Sequence, residues 1–195
     1  LSLEGLVQDF MNKNFSFLLD GDDNFNKLND YRTRKLKAVP LISDKGNLIK
    51  VYDFTRTKSI LPIDAVIMAG GKGERLRPLT DTVPKPLLKV GGKEIISYNF
   101  DRLLQFGITN QIVTVNYLGH KIDDFCKSYN SEINFNIIKE DKFLGTAGSL
   151  SLIEDFNNDV ILLMNSDLLT DIDYEDFYKS FIKNEADILV ASVPY

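Results

Sequence analysis

One cysteine, Cys126, and one histidine, His120, are all that 195 residues supply of two versatile ligating and nucleophilic side chains. A lone cysteine excludes an intramolecular disulfide framework, and with one histidine beside it no Cys/His zinc set can be assembled. A reducing, cytoplasmic setting fits that scarcity. No apolar run approaches the ~20 residues of a membrane span, and the first residues lack the basic-then-apolar pattern of a secretion signal. No membrane partner is expected. There is no long basic block either, and the formal net charge is −5. A nucleic-acid partner is therefore not expected, although a local positive pocket can sit inside an acidic whole. The chain begins at Leu1 rather than Met, and it reads as an internal piece of a longer polypeptide.

What is present is material for a core: 44% of the residues are hydrophobic and 26% charged, enough for one large or two small domains. The character of the chain changes at the polar joint "RTKSILP", Arg56 to Pro62, so residues 1–58 and 59–195 are expected to form separate domains. Upstream, "LEGLVQDFMNKNFSFLLDGDD" and "FNKLNDYRTRKLKA" read as short helical and extended pieces. "VPLISDKGNLIKVYDF" reads as two strands around an Asp-Lys-Gly-Asn turn. Together these predict a small α+β unit. Downstream, apolar segments alternate with amphipathic ones. Strands are predicted at Ile63–Ala69, Gln111–Asn116, Ile133–Ile138, Val160–Met164 and Ile188–Val193. Helices are predicted at Ile95–Phe106, Lys121–Tyr129, Ala147–Phe156 and Tyr174–Lys183. That alternation is the pattern of an α/β layered domain with a largely parallel sheet.

In such sheets ligands collect at the carboxyl ends of strands. The first predicted strand runs directly into Gly70, Gly71 and Gly73, and the fourth runs into Asn165, Ser166 and Asp167. Glycines leave backbone N–H groups uncovered and let the chain approach an anion closely, so the first loop suits phosphate; the bland alternative is an ordinary strand-to-helix turn. Two familiar phosphate loops do not fit. Neither "GGKGER" nor "GGKEII" supplies the Ser or Thr that follows Gly-Lys in a P-loop, and after Gly71 and Gly73 the third position of a dinucleotide fingerprint is Leu76. What remains is a glycine loop followed by Arg75 and then by Lys85 between Pro84 and Pro86. Flanking prolines fix φ and stiffen a lysine's mount, which helps a cation point at a ligand. His120 and Cys126 fall on or beside one predicted helix without a partner for a catalytic triad, and they read as structural.

At this point the residues carry a resemblance. "AGGKGERLRPLTDTVPKPLLKVGGK" resembles the signature of the sugar-nucleotide pyrophosphorylases, nucleotidyltransferases that join a nucleoside triphosphate to a sugar 1-phosphate; mannose-1-phosphate guanylyltransferase-like members are the nearest in kind. "EDKFLGTAGSL", Glu140 to Leu150, resembles the family's nucleobase loop. "LLMNSDLLTDID" resembles the segment whose aspartate binds magnesium, with Ser166-Asp167 where Gly-Asp is commoner. The resemblance covers residues 63–195. It implies a Rossmann-like, GT-A-type three-layer α/β sandwich with a mostly parallel sheet. It also implies that the family's second metal-binding aspartate and much of its sugar site lie past Tyr195, so residues 1–195 alone are expected to bind nucleotide but turn over weakly or not at all.

The chemistry is consistent with that resemblance. A sugar phosphate is already mostly dianionic at neutral pH, its second pKa being about 6, so its attack on the α-phosphorus needs alignment and charge neutralisation rather than a side-chain base. The implied roles each have a bland alternative. Arg75 clamps the triphosphate, or pairs on the surface with Glu74 or Asp81. Lys85 neutralises charge near the α-phosphate, or is a solvated turn lysine. Asp167 holds Mg²⁺, or caps a helix, for which Asp171 or Asp173 is better placed. Gly70, Gly71, Gly73, Glu140, Gly145 and Thr146 bind the nucleotide. Asn116 meets the sugar or caps a turn. Glu140 resembles the acidic form of guanylyl-transferring members; its carboxylate would accept from the two donors on guanine's pairing edge, whereas uracil or thymine needs a partner that also donates. GTP is the expected triphosphate and mannose 1-phosphate, or a related hexose or heptose 1-phosphate, the acceptor. The alternatives are a uridylyl- or thymidylyltransferase, or a nucleotide-sensing scaffold that no longer turns over.

The first domain resembles one CBS motif in "DFMNKNFSFLLDGDD" and "LKAVPLISDKGNLIKVYDFT". Such motifs pair into modules that bind adenine nucleotides and regulate attached enzymes. Here Thr55 is followed by Arg56, Thr57 and Lys58 rather than by the aspartate that holds a ribose. That departure argues against an adenine nucleotide and leaves contact within a homo-oligomer, half of a divided pair, or simple packing.

Overall fold

The computed structural model describes residues 12–22, 24–130, 132–142 and 144–192. It divides into two compact units, Leu1–Thr57 and Lys58–Tyr195. The part of the first predicted helical piece that falls on residues 1–11 lies outside the described residues.

In the first unit, a short strand β1 (Leu18–Leu19) and helix α1 (Asn24–Thr33) precede the hairpin β2 (Ala38–Ile42) and β3 (Leu48–Asp53). β1 pairs parallel to β2, and β2 pairs antiparallel to β3 with Val39 opposite Tyr52. The hairpin closes at the predicted turn: the Ser43 N–H donates to Asn47 O and the Gly46 N–H to Ser43 O, both at 2.9 Å. Leu18, Leu28 and Val39 are fully buried and form its small core.

The second unit is built on a four-stranded parallel sheet. Its strands are β4 (Ile63–Met68), β7 (Asn110–Val115), β8 (Asn134–Lys139) and β9 (Val160–Asn165), and a two-stranded ribbon of β5 (Lys89–Val90) and β6 (Lys93–Glu94) lies between β4 and β7 in the chain. The order across the sheet is β8-β7-β4-β9. β4 is central and buried along almost its whole length, which explains its nearly unbroken apolar sequence. Its one interruption, Asp64, is fully buried and accepts from the N–H groups of Asn157 and Asn158 at 2.6 and 3.2 Å and from Asn158 Nδ2 at 2.7 Å. The carboxylate thus satisfies the turn that feeds β9, each such charge-assisted bond contributing on the order of 1.5–3 kcal/mol.

The sheet is the middle of three layers. On one face lies α2 (Ile95–Gln105), which buries Ile96, Phe100 and Leu103 at helical spacing. Phe100 packs against Phe135 of β8 with the rings tilted by 60° and 4.7 Å between centroids. On the same side are α3 (Gly119–Lys127) and α5 (Tyr174–Lys183); Tyr174 meets Phe106, just past α2, edge-on at 5.2 Å. On the other face Val66 and Ile112, with Ile138 and Leu163 beside them, pack against Leu150, Ile153 and Phe156.

Two predicted elements differ. The helix expected over 147–156 is a single α turn, α4 (Gly145–Gly148), that tightens into a 3-10 turn, Ser149–Leu152, and is extended at Ile153. The apolar spacing was real, but Ser151 Oγ bonds back to Gly148 O at 2.7 Å and glycine weakens the turn, so side-chain bonding competes with helix continuation. The strand expected at Ile188–Val193 does not form over residues 188–192, where Ile188 is 81% exposed. A strand exists through its ladder, and no described strand bonds there. Val193 lies outside the described residues. Among the described residues no helix is long and apolar enough to cross a membrane.

Candidate functional site

The carboxyl ends of β8, β7, β4 and β9 converge on a cavity of about 940 Å³, within the range of small-ligand sites. Gly70, Gly71, Gly73, Arg75, Lys85, Asn116, Glu140, Gly145, Thr146 and Asp167 all line it. Residues far apart in sequence meet there because the chain crosses from β4 to β7 and β8 on one side and later returns to β9 on the other, leaving a crevice at the switch.

The glycine loop after β4 needs its glycines for different reasons. At Gly70 a Cβ would stand 3.1 Å from Glu140 Oε1 and 3.3 Å from Asn116 Cβ, so bare backbone lets the ends of β7 and β8 close in. Gly73 has φ +63°, and its Cβ would meet Thr80 Cγ2 at 3.0 Å and Lys85 Cβ at 3.1 Å. The loop is then tied down from both ends. Buried Thr80 donates its hydroxyl to Gly73 O at 2.9 Å. The Tyr117 hydroxyl bridges the carbonyls of Thr80 and Asp81, each at 3.1 Å, while its own backbone N–H reaches Gly70 O at 3.5 Å. Lys121 Nζ holds Thr82 O at 2.5 Å. The Tyr117→Phe variant loses only the bridge, worth about 1 kcal/mol, or roughly 5-fold in local opening. Trypsin is expected to cut after Arg75 about that much faster, with the global unfolding midpoint lowered by only roughly 2–4 °C.

Arg75 sits on a short 3-10 turn, Glu74–Leu76, exposed and lining the cavity. Among the described residues it has no ion-pair partner: Asp81, which a surface pairing would use, is taken by Arg77 at 3.4 Å. Lys85 opens the turn Lys85–Leu87 between Pro84, at φ −64°, and buried Pro86. The prolines fix its mount, but it is not a solvated turn lysine, because its ammonium is hydrogen-bonded to the Asp167 carboxylate as an ion pair. Asp167 follows β9, where the Ser166 N–H donates to Met68 O at 3.1 Å and Ser166 O accepts from Asn99 Nδ2 on α2 at 3.0 Å. The side chain that caps a helix here is Asp173, which accepts from the N–H groups of Glu175 and Asp176 at the start of α5.

Glu140, one residue past β8, is buried, with 4% of its surface exposed. Its N–H donates to Val115 O at 2.8 Å, its carbonyl accepts from Asn116 Nδ2 at 2.7 Å, and its Oε2 accepts from the Leu144 N–H at 3.2 Å. Asn116 therefore laces β7 to β8 through its amide, and its backbone carbonyl accepts from Gly119 N at 3.2 Å. Lys72, Glu74 and Leu76 also line the cavity without having been singled out in the sequence.

His120 is exposed at the start of α3 and does not line the cavity. Cys126 is buried on the same helix, and burial, with the Asp123 carboxylate adding to it, pushes its thiol up to about 12. The folded protein keeps that proton while an unfolded thiol starts to lose it near pH 9.0. The group therefore costs stability only as pH rises from there, by about 1.4 kcal/mol per pH unit until the folded pKa is reached. A thiol reagent at pH 8 should leave the native protein unmodified and label it once per chain after unfolding; ready native labelling would contradict the burial.

For a divalent cation the donor set is sparse. Among the described residues no group of three or more His, Cys, Asp or Glu is clustered, and Asp167 stands beside cations suited to phosphate. That fits Mg²⁺, which takes one or two carboxylates and completes its shell with water and phosphate oxygens, and does not fit a stand-alone zinc site.

Residues 64–195 match the family model for the nucleotidyl transferases. The mannose-1-phosphate guanyltransferase of Saccharomyces cerevisiae is 37% identical over 123 residues, 59% of this chain and 34% of that protein. The N-acetylmuramate alpha-1-phosphate uridylyltransferase of Neisseria meningitidis serogroup B is 40% identical over 114 residues, 56% of this chain and 49% of that protein. The chain thus spans between about a third and a half of these relatives' lengths. A crystal structure from Bacillus anthracis, assigned as a glucose-1-phosphate thymidylyltransferase, superimposes with a TM-score of 0.55 at 28% identity, covering 62% of this chain and 50% of that one.

Proposed function

The chain belongs to the nucleotidyl transferase family, and from that premise we propose that its second unit joins a nucleoside triphosphate to a sugar 1-phosphate. The observation that carries this reading is the convergence on one cavity of a glycine loop, Arg75, Lys85, Glu140 and Asp167, with no histidine, cysteine or activated serine among the lining groups singled out. A phosphate-oxygen nucleophile needs no side-chain base, and this set contains what such a reaction does need.

In the proposed reaction an oxygen of the sugar phosphate forms a bond to the α-phosphorus while the bond from that phosphorus to the bridging oxygen of the β-phosphate breaks, and pyrophosphate leaves with the electron pair. The N–H groups of the glycine loop hold phosphate oxygens. Arg75, which has no ion-pair partner among the described residues, clamps the triphosphate in the bidentate manner open to a guanidinium. Lys85 turns from Asp167 to the oxygens around the α-phosphorus, where negative charge accumulates in the transition state. Asp167 holds Mg²⁺, which when bound neutralises phosphate charge and orients the triphosphate. Gly145 and Thr146 border the base, and Asn116, with its amide committed to Glu140 O, contributes to the sugar side through its remaining oxygen.

GTP is the proposed triphosphate. Relatives that transfer different bases share this fold, so kinship does not choose among them. A buried carboxylate does favour one: Glu140 accepts one backbone N–H and retains acceptor capacity for guanine's two donors, whereas a uracil or thymine edge would set an acceptor against it. Mannose 1-phosphate is the proposed acceptor, with glucosamine 1-phosphate or a heptose 1-phosphate next. For the first unit we propose a regulatory or packing role, as its resemblance to a CBS motif implies. The test is pyrophosphate release by the full-length protein across a panel of triphosphates and sugar 1-phosphates. Release should require both substrates and be fastest with GTP; no release with any pair would refute the reading.

A further inference from the structure

Lys85 and Asp167 are 82 residues apart in sequence, yet in the cavity they are each other's partner. Both side chains are about one-third exposed, 32% each, so neither charge is fully solvated and neither is sealed. We propose, resting on the reading above that Asp167 takes a divalent cation and Lys85 a phosphate, that this pair is an interlock that makes cation and triphosphate bind cooperatively. A cation arriving alone must take the carboxylate from Lys85 and leave an ammonium unpaired beside a new positive charge. A metal-free triphosphate must take the ammonium from Asp167 and leave a carboxylate facing a polyanion. When both arrive together, each half of the broken pair meets an opposite charge, so one disruption serves two ligands. Reciprocity follows: whatever factor the triphosphate contributes to cation affinity, the cation contributes to triphosphate affinity.

The local structure suits a change confined to side chains. The prolines and the packing of Lys85 Cβ against the Gly73 backbone hold the base of the lysine while its long stem can turn. Asp167 is held through Ser166, whose N–H and carbonyl are engaged by Met68 O and Asn99 Nδ2. Lys72 lines the same cavity with no ion-pair partner among the described residues, so it supplies a control for the general effect of a nearby positive charge.

The test measures two binding equilibria in the full-length protein, Mn²⁺ without nucleotide and GTP in excess chelator. Lys85→Met should tighten Mn²⁺ binding about 5-fold, the scale of a partly exposed ion pair, while Lys72→Met changes it much less. Asp167→Asn should tighten metal-free GTP binding by a similar factor, and that gain should be clearly smaller when Lys85→Met is also present, because only the direct repulsion between carboxylate and triphosphate then remains to be relieved. An unchanged Mn²⁺ affinity in Lys85→Met, an equal gain in Lys72→Met, or a gain from Asp167→Asn that is undiminished without Lys85 would each overturn the interlock. If the wild type binds Mn²⁺ and GTP together normally, such a result removes the interlock alone. If it binds neither together nor apart, the nucleotidyl-transfer reading falls and the interlock with it.

Discussion

Arg75→Ala and Lys85→Ala should each lower turnover of the full-length protein about 100-fold or more, the cost of removing a preorganised charge at a transition state. Stability should hardly move. Arg75 is exposed on a loop turn and leaves no described partner behind, while Lys85 leaves Asp167 unpaired but one-third exposed to water. The two readouts separate function from structure. Loss of kcat with an unchanged unfolding midpoint assigns each cation to the reaction, and near-normal kinetics would return that residue to a structural role. The two should also differ in character. A clamp on the β- and γ-phosphates is felt in KM for the triphosphate as well as in kcat, so Arg75→Ala should raise both barriers. Lys85 acts where charge develops, and its loss should fall mainly on kcat.

Glu140→Gln should lower the ratio of kcat/KM for GTP over that for UTP by roughly 5- to 150-fold. The variant keeps the side chain's shape but replaces one acceptor with a donor, which would face a donor on guanine in a buried setting, a mismatch worth about 1–3 kcal/mol. Uracil, whose edge offers a donor and an acceptor, should lose less or gain. Because Glu140 Oε2 also accepts from the Leu144 N–H, part of any loss could come from the loop itself. A loop defect would lower both triphosphates alike and leave the ratio unchanged, so the ratio is the informative quantity. An unchanged ratio would separate Glu140 from base choice.

Much of this site was legible because its chemistry is carried by runs of consecutive residues. The glycines, Arg75 and Lys85 lie in one stretch, and each strand end announces itself by an apolar run breaking into polar residues. The helix cap was narrowed to Asp171 or Asp173, and the structure uses Asp173. What was not legible depends on pairs formed across the fold. The Lys85–Asp167 ion pair has no local signature, since its partners meet only when β9 is laid beside β4. Tyr117 reads as any aromatic after a strand, and its bridge to the loop appears only once β7 ends beside the loop. The predicted helix over 147–156 failed for a different reason: the apolar period was present, but serine and glycine changed how the backbone met it. Glu140 stood out in the sequence as the acid opening "EDKFLGTAGSL", but its burial comes from Gly70 and Asn116 closing over it, which no single segment encodes.

The most direct measurement of the central claim follows the fate of each phosphate. The full-length protein is incubated with mannose 1-phosphate, Mg²⁺ and GTP labelled on either the α- or the γ-phosphorus. Attack at the α-phosphorus by the sugar phosphate sends the α label into a nucleotide sugar and the γ label into pyrophosphate. Release of the γ label as inorganic phosphate, or its transfer to the sugar, would mean that the bond broken is the terminal one and would contradict the account.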